Sequence, residues 1–278
     1  MNKQIIIFLI PIFIFVGLLY YFVLWNIYIS LTNYSLLSPK PKLVGLDTYL
    51  SLFEDPDFTS ALLRTLTWIG VLAGAGNLMA ILIASAIYNV ERAAARNALT
   101  AFFIYPLATS LVASGIAWRW LFDVDRGVDA LIGTKIAWLQ GGNAFWSLSL
   151  VSVWVYAGLG VLFYLAMFYN VDKSQIESAY VDGASTLYVM ANIVIPQSRQ
   201  ALIIATVFFT LFAIQMFDLP YTVLFMNPFV MTLVMYAFMK FTTFYFAVAS
   251  ATAVVILAIS AVIVIPYSMF GFRRWLRA

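Results

Sequence analysis

The chain has 278 residues, 64% hydrophobic and 10% charged, and a mean hydropathy of +0.97. This excludes an ordinary water-soluble domain, in which about a quarter of the residues are charged. Cysteine and histidine are both absent, which excludes disulfides, thiolate or imidazole metal sites, histidine bases and cysteine nucleophiles. A net charge of +3, from 15 basic and 12 acidic residues with no basic cluster, gives no footprint for nucleic acid and is explained by contact with the headgroups of a lipid bilayer.

Charge-free stretches place the membrane spans, because a helix that crosses the hydrocarbon needs about 20 apolar residues. After Lys3 the uncharged run extends from Gln4 to Pro39. That is well beyond the roughly 7 to 15 apolar residues of a signal-peptide core, and no small-residue cleavage site closes it. It is expected to remain as a first span, 5–31. The following loop, 32–64, holds Pro39, Pro41, Pro56 and the acids Asp47, Glu54, Asp55 and Asp57, so it reads as a folded polar cap. Spans are expected at 65–88 and 99–122, joined by a short loop with Arg92 and Arg96, then at 145–169 after a second polar loop, 123–144, rich in Asp and Gly. Two more fall at 201–221 and 247–270. A seventh apolar stretch, 219–239, is interrupted by Pro220 and by Asn227-Pro228, which disfavour continued helix; it is expected to be a loop with a short helix. The fold class is therefore all-α, a single six-helix transmembrane domain over 1–278. Trp118, Trp120, Trp138 and Trp146 read as an interfacial belt.

An even number of spans puts both termini on one side. That side holds Lys3, Arg92, Arg96, Lys173, Arg199, Arg273, Arg274 and Arg277, against Lys40, Lys42, Arg64, Arg119, Arg126, Lys135 and Lys240 opposite. The count is nearly even, but the basic tail abuts the last span and the short loop carries two arginines, which favours termini inside.

The segment 171–200 is apolar in part yet too polar to span. Ile176, Ala179, Tyr180, Gly183, Ala184 and Leu187 recur at spacings of three and four and share one helical face. Ser174 with Glu177 is a capping-box pattern for its start, Gly183 a turn for its end, and Pro196 suits the first turn of a following helix. The string Glu177-Ser178-Ala179, with Gly183 four residues on and Ile193-Val194-Ile195-Pro196 ten beyond that, resembles the EAA loop of the permease subunits of binding-protein-dependent ABC importers. Ser178 stands for a family Ala and Ile195 for a Leu. The resemblance extends along the chain to the carbohydrate-type permeases through Ser30-Leu31-Thr32-Asn33-Tyr34, Val44-Gly45-Leu46-Asp47-Thr48-Tyr49, Tyr105-Pro106, Trp118-Arg119-Trp120-Leu121-Phe122-Asp123 and Phe217-Asp218-Leu219-Pro220-Tyr221. Met226-Asn227-Pro228 departs from the family's Gly-Gly-Pro.

The resemblance implies a type I importer fold and a prokaryotic cell-membrane location. It implies that Glu177, Ser178, Ala179, Asp182, Gly183, Ala184 and Pro196 form a coupling helix and its turn, docked on an ATPase subunit. Glu177 has a second reading, as a helix cap alone. The implied partners are a second, related permease, two ATPase subunits that bind ATP and Mg, an extracellular sugar-binding protein, and a sugar. No Gly-x-x-x-x-Gly-Lys-Ser/Thr phosphate loop occurs, so ATP is not bound here by that motif.

Polar groups within spans are costly and point to a pathway or to helix bridging. They are Asn77, Ser114, Gln215 and Asp218, with the ring of Tyr221 beside them and Tyr156, Phe212 and Phe217 near in sequence. Asn77 lies beside Gly74 and Gly76, where an amide also serves to bridge close helices. Asp218 and Arg119 are expected at similar depth near one interface, either as an ion pair or with Arg119 snorkelling to the headgroups. Two other classes compete. An ion-coupled carrier of a small polar solute needs titratable groups at mid-membrane and paired broken helices, and a membrane enzyme needs a reactive constellation. This sequence supplies neither.

Overall fold

The computed structural model describes residues 3–275, with side-chain surroundings for 10–266. Among the described residues the chain is helical throughout apart from loops and two isolated β-bridges, Thr32 with Leu43 and Ser35 with Ser38. The helices are α1 (Lys3–Ser30), α2 (Asp47–Glu54), α3 (Pro56–Tyr88, with a wide π turn at Leu72–Gly76), α4 (Ala93–Ala108), α5 (Leu111–Leu121), α6 (Val128–Ile132) and α7 (Asn143–Phe168). Then come α8 (Lys173–Val181), α9 (Thr186–Gln197), α10 (Arg199–Ile214), α11 (Asp218–Leu224), α12 (Leu233–Thr242) and α13 (Phe246–Trp275).

Four of these, within α1, α3, α7 and α13, are long and apolar enough to cross a bilayer, and two bent pairs bring the number to six if each pair is one span. With each bent pair counted as one span the expected six is reached, but two were expected to be single straight helices and are not. The stretch 99–122 is broken by a 98° bend between α4 and α5, where Thr109 and Ser110 are both extended. The break is held by hydroxyls: Thr109 Oγ1 donates to the Pro106 carbonyl at 2.6 Å and meets Ser114 Oγ at 2.8 Å. The stretch 201–221 is broken too, because α10 ends at Ile214 and a new helix starts at Asp218. A window of apolar composition does not register either break.

The chain divides into two compact units, Met1–Leu62 with Thr232–Ile259, and Leu63–Met231 with Ser260–Ala278. In the first unit, α1 exposes large apolar side chains from Ile10 to Tyr28. That is the expected surface for a helix whose solvent is lipid, where every backbone polar group is already satisfied within the helix. The polar cap predicted from prolines and acids is held by side-chain bonds, Thr48 Oγ1 to the Thr32 carbonyl at 3.1 Å and Ser30 Oγ with Tyr49 Oη at 2.7 Å. Asp55 accepts from Tyr236 Oη at 2.7 Å and from Lys240 Nζ at 3.0 Å. Burial pushes this carboxyl up, but the bonds from Tyr236 and Lys240 outweigh it and hold it below the usual carboxylate value.

The second unit is built around α7, whose buried face carries Leu148, Val151, Val155, Val161, Tyr164 and Phe168. Small residues let neighbours approach: a Cβ on Gly158 would strike the Phe103 carbonyl of α4, and one on Gly160 would lie 2.6 Å from Ala80 Cβ of α3. In the short helix α6, the buried Asp129 carboxylate accepts from Thr134 Oγ1 at 2.7 Å, the Ile136 N–H at 2.6 Å and Trp138 Nε1 at 3.1 Å. Burial raises its pKa, yet these three donors bring it below the usual value. Asp129 thereby fixes Trp138 against Phe122, with ring centroids 5.5 Å apart. The four tryptophans expected as a belt therefore divide: Trp120 and Trp146 are 60% and 62% exposed, whereas Trp118 and Trp138 pack on the core.

Candidate functional site

Two features of the second unit are candidate sites, and the first is the segment 171–200. Helix α8 starts at Lys173 because Asp172 caps it, its side chain accepting from the Ser174 N–H at 2.9 Å. That bond also lowers the Asp172 pKa. The capping box expected from Ser174 and Glu177 is thus replaced by a cap two residues earlier, and the exposed Glu177 carboxylate accepts no hydrogen bond among the described residues. At the other end the Gly183 N–H donates to the Tyr180 carbonyl at 3.0 Å and the Ala184 N–H to the Ala179 carbonyl at 2.9 Å. This pair of bonds is the Schellman closure, and it puts Gly183 at φ +82°, which favours a residue without Cβ.

After the turn, Ser185 caps α9 by accepting from the Tyr188 N–H at 3.3 Å. Pro196 sits in the last turn of α9, and a 68° bend at Ser198 leads into α10. Gln197 Nε2 donates to Gln175 Oε1 at 2.7 Å and ties the end of α9 back to α8.

The amphipathic face read from the sequence is divided by the fold. Ile176, Ala179 and Ala184 are half-buried and pack against this chain's own core, as do Ile193 and Ile195. The apolar side chains left in the open are Tyr180, Val181, Leu187 and Tyr188, with Val181 87% and Leu187 79% exposed. One part of the face read from the sequence, Ile176, Ala179 and Ala184, therefore seats α8 and the following turn on this chain. Exposed with the outward apolar group are Glu177, Ser178, Asp182, Gly183 and Pro196. Tertiary packing, which spacing alone does not specify, decides which stripe is turned outward.

The second feature follows α10. Gln215 ends that helix, exposed, and its side-chain amide has no hydrogen bond among the described residues. Asp218, also exposed, lies in the first turn of α11, where a negative charge complements the helix dipole. Beside them runs a ladder of rings, Phe217 stacked on Tyr221 at 4.8 Å and Tyr221 near Phe225 at 5.1 Å. Phe225 closes α11 with φ 53°, a strained conformation for an aromatic residue, worth roughly 1 to 3 kcal/mol and met most often at functional sites. Tyr156 of α7 stacks on Phe212 of α10 at 4.4 Å. Helix α11 is seated on α5 at Gly115, where an added Cβ would meet Val223 at 3.2 Å.

The remaining sequence candidates have other surroundings. Asn77 follows the π turn of α3 and is 4% exposed. Its Nδ2 donates to the Ala73 carbonyl at 2.7 Å and to Thr206 Oγ1 at 3.0 Å, while its Oδ1 accepts from Tyr164 Oη at 2.8 Å. Its amide joins α3, α7 and α10 in this conformation. Ser114 is buried at the α4–α5 break. Arg119 and Asp218 are both exposed, and among the described residues no ion pair joins them.

Residues 76–276, which include the whole 171–200 segment and the ring ladder, match the family model described as binding-protein-dependent transport system inner membrane component. The chain is 40% identical to the glucose import system permease protein GlcT of Saccharolobus solfataricus over 284 aligned residues, covering 100% of this chain and 99% of that one. It is 25% identical to the xylose/arabinose import permease protein XacH of Haloferax volcanii over 90% of this chain and 82% of that protein. In fold it is similar to a chain of a bacterial alginate ABC transporter solved with an alginate pentasaccharide-bound periplasmic protein, with a TM-score of 0.82, 20% identity and coverage of 97% and 94%. With its broken apolar helices and glycine-closed polar segment, the chain belongs to the family of inner membrane components of binding-protein-dependent transport systems.

Proposed function

We propose that this protein is one of two permease subunits of an ATP-driven ABC importer that carries a sugar through the cell membrane. A sugar-binding protein outside the cell delivers the solute. Two ATPase subunits, which bind ATP and Mg, supply the work. The observation that carries this reading is the 171–200 segment: an exposed apolar group flanked by Glu177 and Asp182 and rigidly closed at Gly183. Val181 at the end of the nine-residue α8 and Leu187 in the first turn of α9, 87% and 79% exposed, present apolar surface whose burial is worth about 25 cal/mol per Å2. The ATPase subunit supplies the cover, with Glu177, Ser178, Ala179, Asp182, Gly183, Ala184 and Pro196 as the coupling set. Ala179, Ala184 and Pro196 act by shape, since the first two are turned toward this chain.

A sugar as solute is supported by the names of the relatives at 40% and 25% identity and by the chemistry of the ladder. Planar rings of Phe217 and Tyr221 cover the apolar faces of pyranoses, and the amide of Gln215 and carboxylate of Asp218 pair with hydroxyls. Asn77 and Ser114 shape the pathway by holding α3 and α5 in place. Within the single transmembrane domain 1–278, both termini and the 171–200 segment lie in the cytoplasm, and the second permease is a related chain.

Purification of the chain from its native membrane tests the assembly. Two ATPase copies and one further permease should accompany it, and a complex without an ATPase would overturn the reading. Orientation is checked with single cysteines, a clean probe in a chain that has none. Labelling from outside intact cells should reach Ser51→Cys and not Ser174→Cys, both exposed in the fold; the reverse pattern inverts the topology.

A further inference from the structure

We propose that the chain also binds the headgroup of an anionic phospholipid, in a cleft between the start of α4 and the end of α7. The cleft has a volume of about 530 Å3 and is lined by Arg96, Asn97 and Thr100 from α4 and by Leu162, Leu165 and Tyr169 from α7 and its C-terminal cap. Its chemistry is divided: a cation, an amide and a hydroxyl from α4, aliphatic side chains and the Tyr169 ring from α7 and its cap. No carboxylate lines it. The Arg96 guanidinium lies over the Tyr169 ring at 5.6 Å, and among the described residues it makes no hydrogen bond or ion pair. Tyr169 is itself held by the Tyr88 ring at 5.4 Å. The cation is thus oriented by an aromatic face while its N–H fork, suited to two phosphate oxygens, stays open.

Position selects the occupant. Helix α4 begins after the polar turn 89–92, and α7 gives way at Tyr169 to the polar segment 170–175, so the cleft lies where apolar helices meet the headgroup layer. Basic pockets between spanning helices at that depth take anionic lipids. A small soluble anion would use Arg96 but leave Leu162, 39% exposed, without cover. The glycerol and first methylenes of a lipid fill that side.

The test is native mass spectrometry of the purified chain in detergent, titrated with phosphatidylglycerol, with phosphatidylcholine of the same acyl chains, and with inorganic phosphate. Phosphatidylglycerol should be retained over phosphatidylcholine by roughly fivefold, the weight of one cation near a charged headgroup. Arg96→Gln should abolish that preference, whereas Arg92→Gln, exposed and outside the cleft, should keep it. Ala166→Trp, which fills the cleft from its exposed rim, should displace both lipids without touching the cation. An undiminished preference in Arg96→Gln would overturn the proposal. So would displacement of the lipid by inorganic phosphate at equal concentration, which marks a free-anion site. Crosslinking of Asn97→Cys to a copurified subunit in high yield would also overturn it, by assigning the cleft to a protein contact.

Discussion

Replacing Gly183 by Leu should leave the chain inserted in the membrane and reduce ATP-coupled uptake roughly 5- to 150-fold, the range that follows from an overpacking cost of about 1 to 3 kcal/mol at a contact surface. Among the described residues nothing lies within 4 Å of a Cβ built on Gly183, so a Cβ there is not blocked by this chain. Two costs remain: backbone strain at φ +82°, roughly 1 to 2 kcal/mol for an L residue with a Cβ, and bulk against whatever covers the turn. Gly183→Asn separates them, because Asn tolerates the left-handed region while still carrying a side chain. If strain dominates, Asn should restore uptake; if bulk at the ATPase surface dominates, Asn should remain impaired. Glu177→Gln adds a third arm. Since Asp172 and not Glu177 caps α8, this change removes charge without loosening the helix, and lost coupling would assign the carboxylate to the interface. Full-yield ATPase copurification with normal uptake in Gly183→Leu would contradict the coupling assignment.

Gln215→Ala should slow sugar uptake roughly 5- to 30-fold with ATPase association unchanged. The side chain is exposed, free of hydrogen bonds among the described residues, and set at a helix end beside the Phe217–Tyr221 stack, so its removal disturbs no packing. On the proposed function, what is lost is a hydrogen bond to the solute in transit, worth about 1 to 2 kcal/mol. Asn77 makes the informative contrast. Asn77→Leu leaves the buried Tyr164 hydroxyl without its acceptor and should lower thermal stability along with transport, whereas Gln215→Ala should lower transport alone. Unchanged uptake in well-expressed Gln215→Ala would return that residue to the structural framework.

Much of this architecture was legible in the sequence, and the failures have specific physical causes. Helices α1, α7 and α13 were found within a few residues because uninterrupted apolar runs in water-free surroundings have no alternative to helix. The bend at Thr109–Ser110 was missed because its determinants are the Pro106 carbonyl and two hydroxyls, which add no charge to the window. The break after Ile214 was missed because apolar composition does not report where the backbone leaves the helix, and Asp218 therefore opens a new helix, α11, rather than continuing α10. In the 171–200 segment the motif predicted the αL turn at Gly183 correctly, since few residues other than Gly adopt φ +82°. It gave the helix start to the wrong side chain: Asp172, like Ser174, is a favoured N-cap, and only the backbone geometry chooses between them. Which part of the apolar face turns inward was not legible, because Ile176 and Val181 are both hydrophobic and the fold alone determines that Ile176 packs inward and Val181 is exposed.

The central claim is that solute movement through this chain is driven by ATP hydrolysis in partner subunits. It is tested most directly by reconstituting the copurified complex with its sugar-binding protein in proteoliposomes and following uptake of radiolabelled glucose, the solute named for the relative at 40% identity, alongside xylose, arabinose and a disaccharide. Uptake of at least one of these sugars should require both ATP and the binding protein and should survive full dissipation of proton and sodium gradients. Uptake that persists without ATP and collapses with an ion gradient would contradict the account.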